Sequence, residues 1–386
     1  VKQTFVLLAV AAGNSGVSQR VVEPMLPRLA DEFAVSVGSA ASVIIGFTVA
    51  QSVAQYFHGP LGDRYGALKT ITWMLALAAI ASIGCAFSTD LTAMMWWRFA
   101  SGFFSSGTMT LGMAFVADAV RAEERQPAIA RFISGTIAGQ ALGPFVGGAM
   151  TDVFGWRATF ILISLVFAAA SAVMFATTRA QWRQWQPKAK ARGALFSPTP
   201  YVQILKTPRA RRVLFFVLLE MTFFYGAFSF LGVLLKERFD LSFTLIGTLL
   251  AGFGLGGILY SLSVRWLLAR LGQRGCVTVG GALGGLCYLG AVLSPAWQPI
   301  MLLTIGIGLG FYMLHNTLQT KGTEMAPHAR GSGMALFSMC WAGGQAVGAA
   351  LMGALSSVLG VAPTIVAFGL GFALLGVAVR MRLQRL

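Results

Sequence analysis

Apolar runs of about 20 residues follow one another along the whole chain, and the charged residues fall almost entirely in the short stretches between them. An ordinary soluble chain is roughly a quarter charged. This one is 11% charged and 56% hydrophobic, with a mean hydropathy of +0.73, so a water-soluble globule is ruled out. Disorder is excluded too, because disordered chains lack the apolar residues abundant here. A run of this length crosses the hydrocarbon core of a bilayer as an α-helix. The runs are too long, and alternate too little, for the strands of a membrane barrel. The sequence predicts an all-α membrane protein with twelve transmembrane helices, at residues 4–29, 39–58, 69–88, 91–118, 126–151, 157–178, 213–235, 242–265, 275–294, 299–320, 331–356 and 361–380. The first run ends in Pro24 and Pro27 without a small-residue cleavage site, so it is expected to remain a span. The 46 glycines suit close helix packing in lipid.

Lys and Arg number 29 against 13 Asp and Glu, a net charge of +16. Such a balance ordinarily points to nucleic acid, but in a membrane chain its location decides. With the N-terminus set in the cytoplasm, 23 basic residues fall on that side and four (Arg28, Arg157, Lys236 and Arg238) on the other, while Arg20 and Arg98 lie within spans. This asymmetry predicts cytoplasmic termini and accounts for the charge without a nucleic-acid partner. Cys85, Cys276, Cys287 and Cys340 lie in apolar runs or at their edges and form no C-x-x-C pair, and only three histidines are present. Inert thiols, no metal and no other cofactor are expected. Gly252, Gly254 and Gly257 satisfy G-x-G-x-x-G, yet no strand precedes them and no suitably spaced acid follows, so no nucleotide site is expected. The absence of a Walker sequence argues against an ATP-driven pump.

Residues 179–212 carry nine basic residues and no acid, together with Trp182, Trp185 and four prolines. That composition suits a segment lying on the anionic cytoplasmic leaflet. It separates two expected six-helix bundles, residues 1–178 and 213–386. Shifting the sequence by 205 superposes Arg125 on Arg330, Gly139 on Gly344, Gln140 on Gln345, Gly143 on Gly348, Gly148 on Gly353 and Gly155 on Gly360. Six ungapped matches at one offset point to a duplicated bundle. Repeated membrane halves are the architecture of secondary transporters, whose site lies between the repeats near the midplane.

Three segments carry a family resemblance. Gly59-Pro60-Leu61-Gly62-Asp63-Arg64-Tyr65-Gly66, between the second and third spans, resembles the loop signature G-x-L-x-D-R-x-G of the major facilitator superfamily. Arg98 with Gly102 is similar to its R-x-x-x-G pattern. The stretch from Gly135 to Gly148, with Gly139, Gly143, Pro144 and Gly147, resembles the antiporter motif of the twelve-span drug:proton branch. The resemblance implies the major facilitator fold, two pseudo-symmetric six-helix bundles. It also implies a charge network at an inner gate, in which Asp63 meets an acid at the end of the fourth span, where Asp118 stands. Ala67 and Leu68 follow Gly66 where the family has basic residues, so Arg64 or Lys69 is left to bridge Asp63 and Asp118, or the network is looser. Gly135, Gly139, Gly143 and Gly147 also have a reading of their own. They recur every four residues and leave a stripe on one helix face that a neighbouring backbone can approach, while Pro144 permits a bend. The family implies that this span is a hinge and seal between the halves.

Ionisable groups inside a bilayer are costly and usually mark a pathway. Arg20 and Glu23, three residues apart, share a helix face and are placed to pair. Arg98 lies in the fourth span. Glu220 lies in the seventh among Leu218, Leu219, Met221 and Phe223, with no charged neighbour in sequence. These four are the expected proton-coupling residues. Gln51, Gln140, Phe224, Tyr225, Phe228, Tyr312, His315, Asn316 and Gln319 are the expected substrate lining, since aromatic and amide side chains suit bulky amphipathic or cationic guests. The expected function is export of small amphipathic molecules by proton antiport, with the halves rocking about a central cavity. The expected setting is the inner membrane of a bacterium, with small-molecule substrate, protons and the lipid bilayer as partners and the monomer as the working unit. The alternatives are a facilitator or proton symporter of a sugar, organic acid or lipid-like metabolite, and a membrane-embedded enzyme or sensor. The last lacks a dense catalytic cluster or soluble output domain.

Overall fold

The structure, a computed structural model, describes residues 2–121, 125–182 and 198–386, and among these it is helical almost throughout, without strands. The N-terminal half contains α1 (Lys2–Arg20), α2 (Leu26–Glu32), α3 (Val37–Ala40), α4 (Ser42–Tyr65), α5 (Ala67–Ala86), α6 (Leu91–Ser105), α7 (Gly107–Ala119), α8 (Arg125–Phe154) and α9 (Trp156–Trp182). After α10 (Thr199–Lys206) come α11 (Pro208–Phe239), α12 (Phe243–Leu293), α13 (Ile300–Glu324), α14 (Arg330–Leu359) and α15 (Val361–Arg382).

Nine helical stretches among the described residues are long and apolar enough to cross a membrane. One of them, α12, has 51 residues, about 75 Å if straight and far more than a bilayer needs. It breaks at Gly272 (φ 61°, ψ 177°), a backbone only glycine adopts readily. Both arms then pack on α13: Gly256 abuts Ile305, and Cys287 abuts Gly306 at the same level. Counting α12 as two, and adding α1 and α8, the helices accommodate the expected twelve. Large apolar side chains such as Leu262, Val358 and Trp266 point outward, which suits lipid rather than water.

Several expected boundaries differ; the second span, expected to end at 58, continues as helix to Tyr65. The first span is not one helix. It stops at Arg20 and resumes at Leu26, because Pro24 has no N–H to continue the ladder and Pro27 suits only the first turn of a new helix. The fourth span breaks at Ser106 into α6 and α7. Helix also enters the expected linker from both sides, α9 running on to Trp182 and α11 starting at Pro208. Residues 183–197 of that linker, with Arg183, Lys188, Lys190 and Arg192, lie outside the described residues.

The offset of 205 recurs in the packing. A Cβ on Gly139 would overlap the Gly13 carbonyl, and one on Gly344 would crowd the Leu218 carbonyl. Gly148 meets Phe243 O as Gly353 meets Gly38 O, each partner displaced by the same 205. The glycine stripe therefore has a different partner from the one expected. Gly135, Gly139 and Gly143 pack on Ala9, Gly13 and Val17 of α1, and Gly147 on Val21 just after it, inside the N-terminal half. The seal between halves comes from the adjoining face of α8. There Ala141 meets Gly254, Pro144 meets Gly247 and Gly148 meets Phe243, while Gly38 meets Gly353 on the other flank. Asp152 at the end of α8 reinforces the seal. It accepts from the Phe243 and Thr244 amides (3.2 and 2.6 Å) and from the Thr244 hydroxyl (2.6 Å), satisfying free donors at the start of α12. Apart from Ala141–Gly254, which is nearer the middle, these contacts lie toward the end of the bundle away from the chain termini, the far end.

The two faces of α8 respond differently to substitution. Gly139→Leu is expected to destabilise the N-terminal half by roughly 3 kcal/mol or more, since backbone blocks the added side chain. Gly148→Leu or Asp152→Ala is expected to leave each half folded but widen the far end. Thermal unfolding in detergent separates the first effect. Spin-label distances between Thr89→Cys and Pro299→Cys read the second, and unchanged distances in both far-end variants would remove these contacts from the seal.

Candidate transport site

At the termini end, α4 runs helically through Pro60 to Tyr65, and Gly66 turns the chain into α5 with φ 89° and its N–H on Gly62 O at 2.9 Å. Gly59, Asp63, Gly66 and Lys69 line a cavity of about 460 Å³ with Leu111 and Trp182. The Arg64 guanidinium lies over the Tyr65 ring at 5.7 Å. Asp118 is in α7, but its side chain lies outside the described residues, and so does the expected bridge to it.

In the middle of the bundle three amides join the halves. Gln140 of α8 donates to Gln19 of α1 (3.0 Å), and Gln19 donates to Gln345 of α14 (3.0 Å). Gln140 and Gln345 are equivalent in the repeat, yet both converge on Gln19. The position equivalent to Gln19 is Phe224, which has no polar group to offer, so Gln345 bonds across the interface. Next to this chain, Arg20 Nε lies 3.0 Å from Glu23 Oε1, both side chains being buried. The pair forms although α1 has ended, because the Glu23 N–H turns back onto Arg20 O (3.3 Å). The Arg20 guanidinium also lies over three rings of the other half, Phe228 at 4.6 Å, Phe253 at 5.2 Å and Tyr225 at 5.3 Å. Desolvated cation–π contacts of this kind are worth up to about 2 kcal/mol each.

Glu220 is fully buried in α11. The sequence offers it no partner; the fold does. His315 of α13, 95 residues away, places Nδ1 2.8 Å from Glu220 Oε2. The imidazole is stacked on Phe311 at 5.0 Å and 12°, which fixes the ring plane, while Glu220 Oε1 has no hydrogen-bond partner among the described residues. A buried carboxyl and imidazole in direct contact can share, gain or lose a proton with little movement of heavy atoms.

A model of the Major Facilitator Superfamily matches residues 8–349. The chain belongs to this superfamily. Superfamily members are transporters, and this chain is a multi-pass membrane transporter rather than an enzyme. It is 25% identical over 342 residues to an uncharacterized MFS-type transporter, YceJ, of Bacillus subtilis (strain 168), covering 88% of this chain and 85% of that one. It is 26% identical over 323 residues to a chloramphenicol resistance protein of Streptomyces lividans, covering 82% and 79%. Its fold is similar to that of a bacterial homolog of the human lysosomal transporter Spinster, in an inward-facing and unoccupied conformation, with a TM-score of 0.77, 15% identity and coverage of 100% and 97%.

On the superfamily fold the remaining expected residues separate. Arg98, 1% exposed, has no carboxylate partner among the described residues. It donates to Ser18 O at 2.9 Å and lies over Phe47 at 4.2 Å, tying α6 to α1. Phe224 stacks on Phe311 at 4.1 Å and contacts Phe253 and Phe372, in the core of the C-terminal half rather than on a cavity wall. Tyr225 and Phe228 serve the Arg20 cage. His315, expected as lining, is the partner of Glu220. Gln51 is partly buried, and Asn316 and Gln319 line an open cleft together with Tyr260; Tyr312, stacked on Tyr260 at 6.4 Å, lies behind it. Sequence reasoning missed Asp152, Phe253 and the bridging role of Gln345. Only Gln345 left a signal, as a polar match in the repeat.

Proposed function

We propose that this chain exports small amphipathic molecules in exchange for protons, its two halves rocking about the Gln19–Arg20–Glu23 centre. The observation that carries the reading is the buried Glu220–His315 pair. A carboxylate sealed in a bilayer costs several kcal/mol even on lenient scales, so the pair holds its proton when closed off and releases it when water or cargo reaches α13. That difference between states couples a proton to a conformational change. The relatives support export: besides the Streptomyces lividans protein, a lincomycin resistance protein of Streptomyces lincolnensis is 25% identical over 375 residues. Glu23, Arg20 and Arg98 are the accessory charges, and the Gly59–Lys69 segment, the helix ends about Gly66, gates the termini end. The chain works as a monomer, with bundles 1–178 and 213–386 joined by 179–212 on the cytoplasmic leaflet. The test is a panel of labelled drugs, sugars and lipids in proteoliposomes with an imposed pH gradient. Proton release on adding a drug-like cargo supports antiport, and uptake of proton and cargo together would replace it by symport.

The reading sets both termini in the cytoplasm, from the 23-to-4 distribution of basic residues. In intact cells, Thr89→Cys is expected to react with an impermeant maleimide and Gln273→Cys only after lysis. Cys85, Cys276 and Cys287 are buried and Cys340 partly so, and the unsubstituted chain sets the background. Labelling of position 273 from outside would invert the topology.

A further inference from the structure

The cavity at the Gly59–Lys69 segment has a counterpart in the other repeat. A cleft of about 580 Å³ opens at the termini end between α12, α13 and the start of α14. Six positions line both when shifted by 205: Gly59 and Val264, Asp63 and Leu268, Leu68 and Gln273, Leu111 and Asn316, Ala114 and Gln319, Phe115 and Thr320. The polarity has been exchanged between the copies. The N-terminal cavity is apolar along α7 except for Thr110, whose hydroxyl donates to Gln55, and carries Asp63 and Lys69. The C-terminal cleft carries amides and hydroxyls along α13 and no Lys, Arg, Asp or Glu. Its α12 wall, with Tyr260, Val264 and Leu268, is mainly apolar, so the cleft is itself amphipathic. Its α12 wall rises about 16 Å from Leu271 to Tyr260, and Asn316 at its deep end directly follows His315.

We infer that this cleft binds an uncharged amphiphile rich in hydroxyl or amide groups, the apolar part against α12 and the polar part against Asn316, Gln319 and Thr320. The inference rests on the export reading for the direction of movement, though not for binding. The Gln273 and Gln319 amides have no hydrogen-bond partner among the described residues, so both remain available to a ligand. Each amide donates and accepts, which matches a hydroxyl in either role. A charged ligand would find no counter-ion in the lining and would carry an uncompensated charge below the membrane surface. Arg274 lines the neighbouring opening and disfavours a cation there, while Lys321 beside it is paired with Glu324 (3.5 Å). Because His315 and Asn316 are adjacent on α13, a ligand in the cleft displaces the same helix that holds the Glu220 pair.

Three dansyl amides with one apolar body and different heads test this: 2,3-dihydroxypropyl, trimethylammonioethyl and carboxymethyl. Binding to the full chain in lipid nanodiscs is read by fluorescence polarisation without a gradient. The dihydroxypropyl probe is expected to bind at least about tenfold more tightly than either charged probe, and Asn316→Leu with Gln319→Leu is expected to remove that margin. Ala114→Leu, at the equivalent position of the other cavity, is expected to leave binding unchanged. Gln319→Glu is expected to transfer preference to the trimethylammonioethyl probe, a gain that misfolding cannot mimic. A wild-type preference for either charged probe, or an unchanged preference in both α13 variants, overturns the inference. Neutral-probe binding that depends on Gln319, without transport against a pH gradient, keeps the cleft and rejects the export reading.

Discussion

Glu220→Gln is expected to fold, to bind cargo and to lose all concentrative transport. For one-for-one exchange, each pH unit of gradient sustains a concentration ratio of up to about tenfold. Wild-type proteoliposomes should approach that ratio and the variant should stay near one. Gln keeps the volume and still meets His315 Nδ1, which lies 2.8 Å from Oε2 in the wild type, so packing is preserved. What is removed is the proton. Counterflow of labelled against unlabelled cargo, which needs no proton, should persist and separates a lost coupling group from a broken transporter. Full gradient-driven accumulation by the variant would move the coupling role to Glu23 or Asp63 and leave Glu220 as a hydrogen-bonded packing residue.

That Glu220 sits as a lone acid inside a span was legible from the apolar run around it; how it is satisfied was not. A hydropathy pattern reports which segments are buried in lipid, and it located the helices well because the bilayer imposes one length and one secondary structure on each. It carries no information on which helices face each other, so His315, 95 residues away, could be placed among polar and lining residues but not paired with Glu220. The glycine stripe on α8 shows the same limit. Its period demands that a backbone approach that face, but α1 and α12 are equally good backbones, and the structure assigns the stripe to α1 and the adjoining face to α12. The repeat did carry three-dimensional information. Equivalent glycines meet partners displaced by the same 205 residues, because both halves descend from one packing solution. Where the repeat is broken the two halves do different work, Gln19 against Phe224 at the centre and Asp63 against Leu268 at the termini end.

Glu23→Ala should be among the most damaging single substitutions. It leaves Arg20 buried without its carboxylate, and breaking a buried pair from one side costs about 3–5 kcal/mol. The rings of Tyr225, Phe228 and Phe253 recover part of this, since they hold the guanidinium at 4.6 to 5.3 Å whether or not Glu23 is present. The net loss should therefore lie at the lower end of that range. Removing both charges is a different experiment. Arg20→Met with Glu23→Leu takes away two desolvation costs together with the ion pair and the three ring contacts, which apolar packing of Met on the same rings partly replaces, and well-packed apolar replacements of buried pairs are often neutral or stabilising. The double variant should unfold in detergent within a few degrees of wild type, well above Glu23→Ala. Its transport should nonetheless fail, because the centre where α1 meets α11 and α12 would no longer hold a charge that cargo or proton can disturb. A double variant as unstable as Glu23→Ala would show that shape, rather than charge, holds this junction. A double variant that is stable and still concentrates cargo would reduce Arg20 and Glu23 to packing and leave Glu220 with His315 as the whole of the coupling machinery.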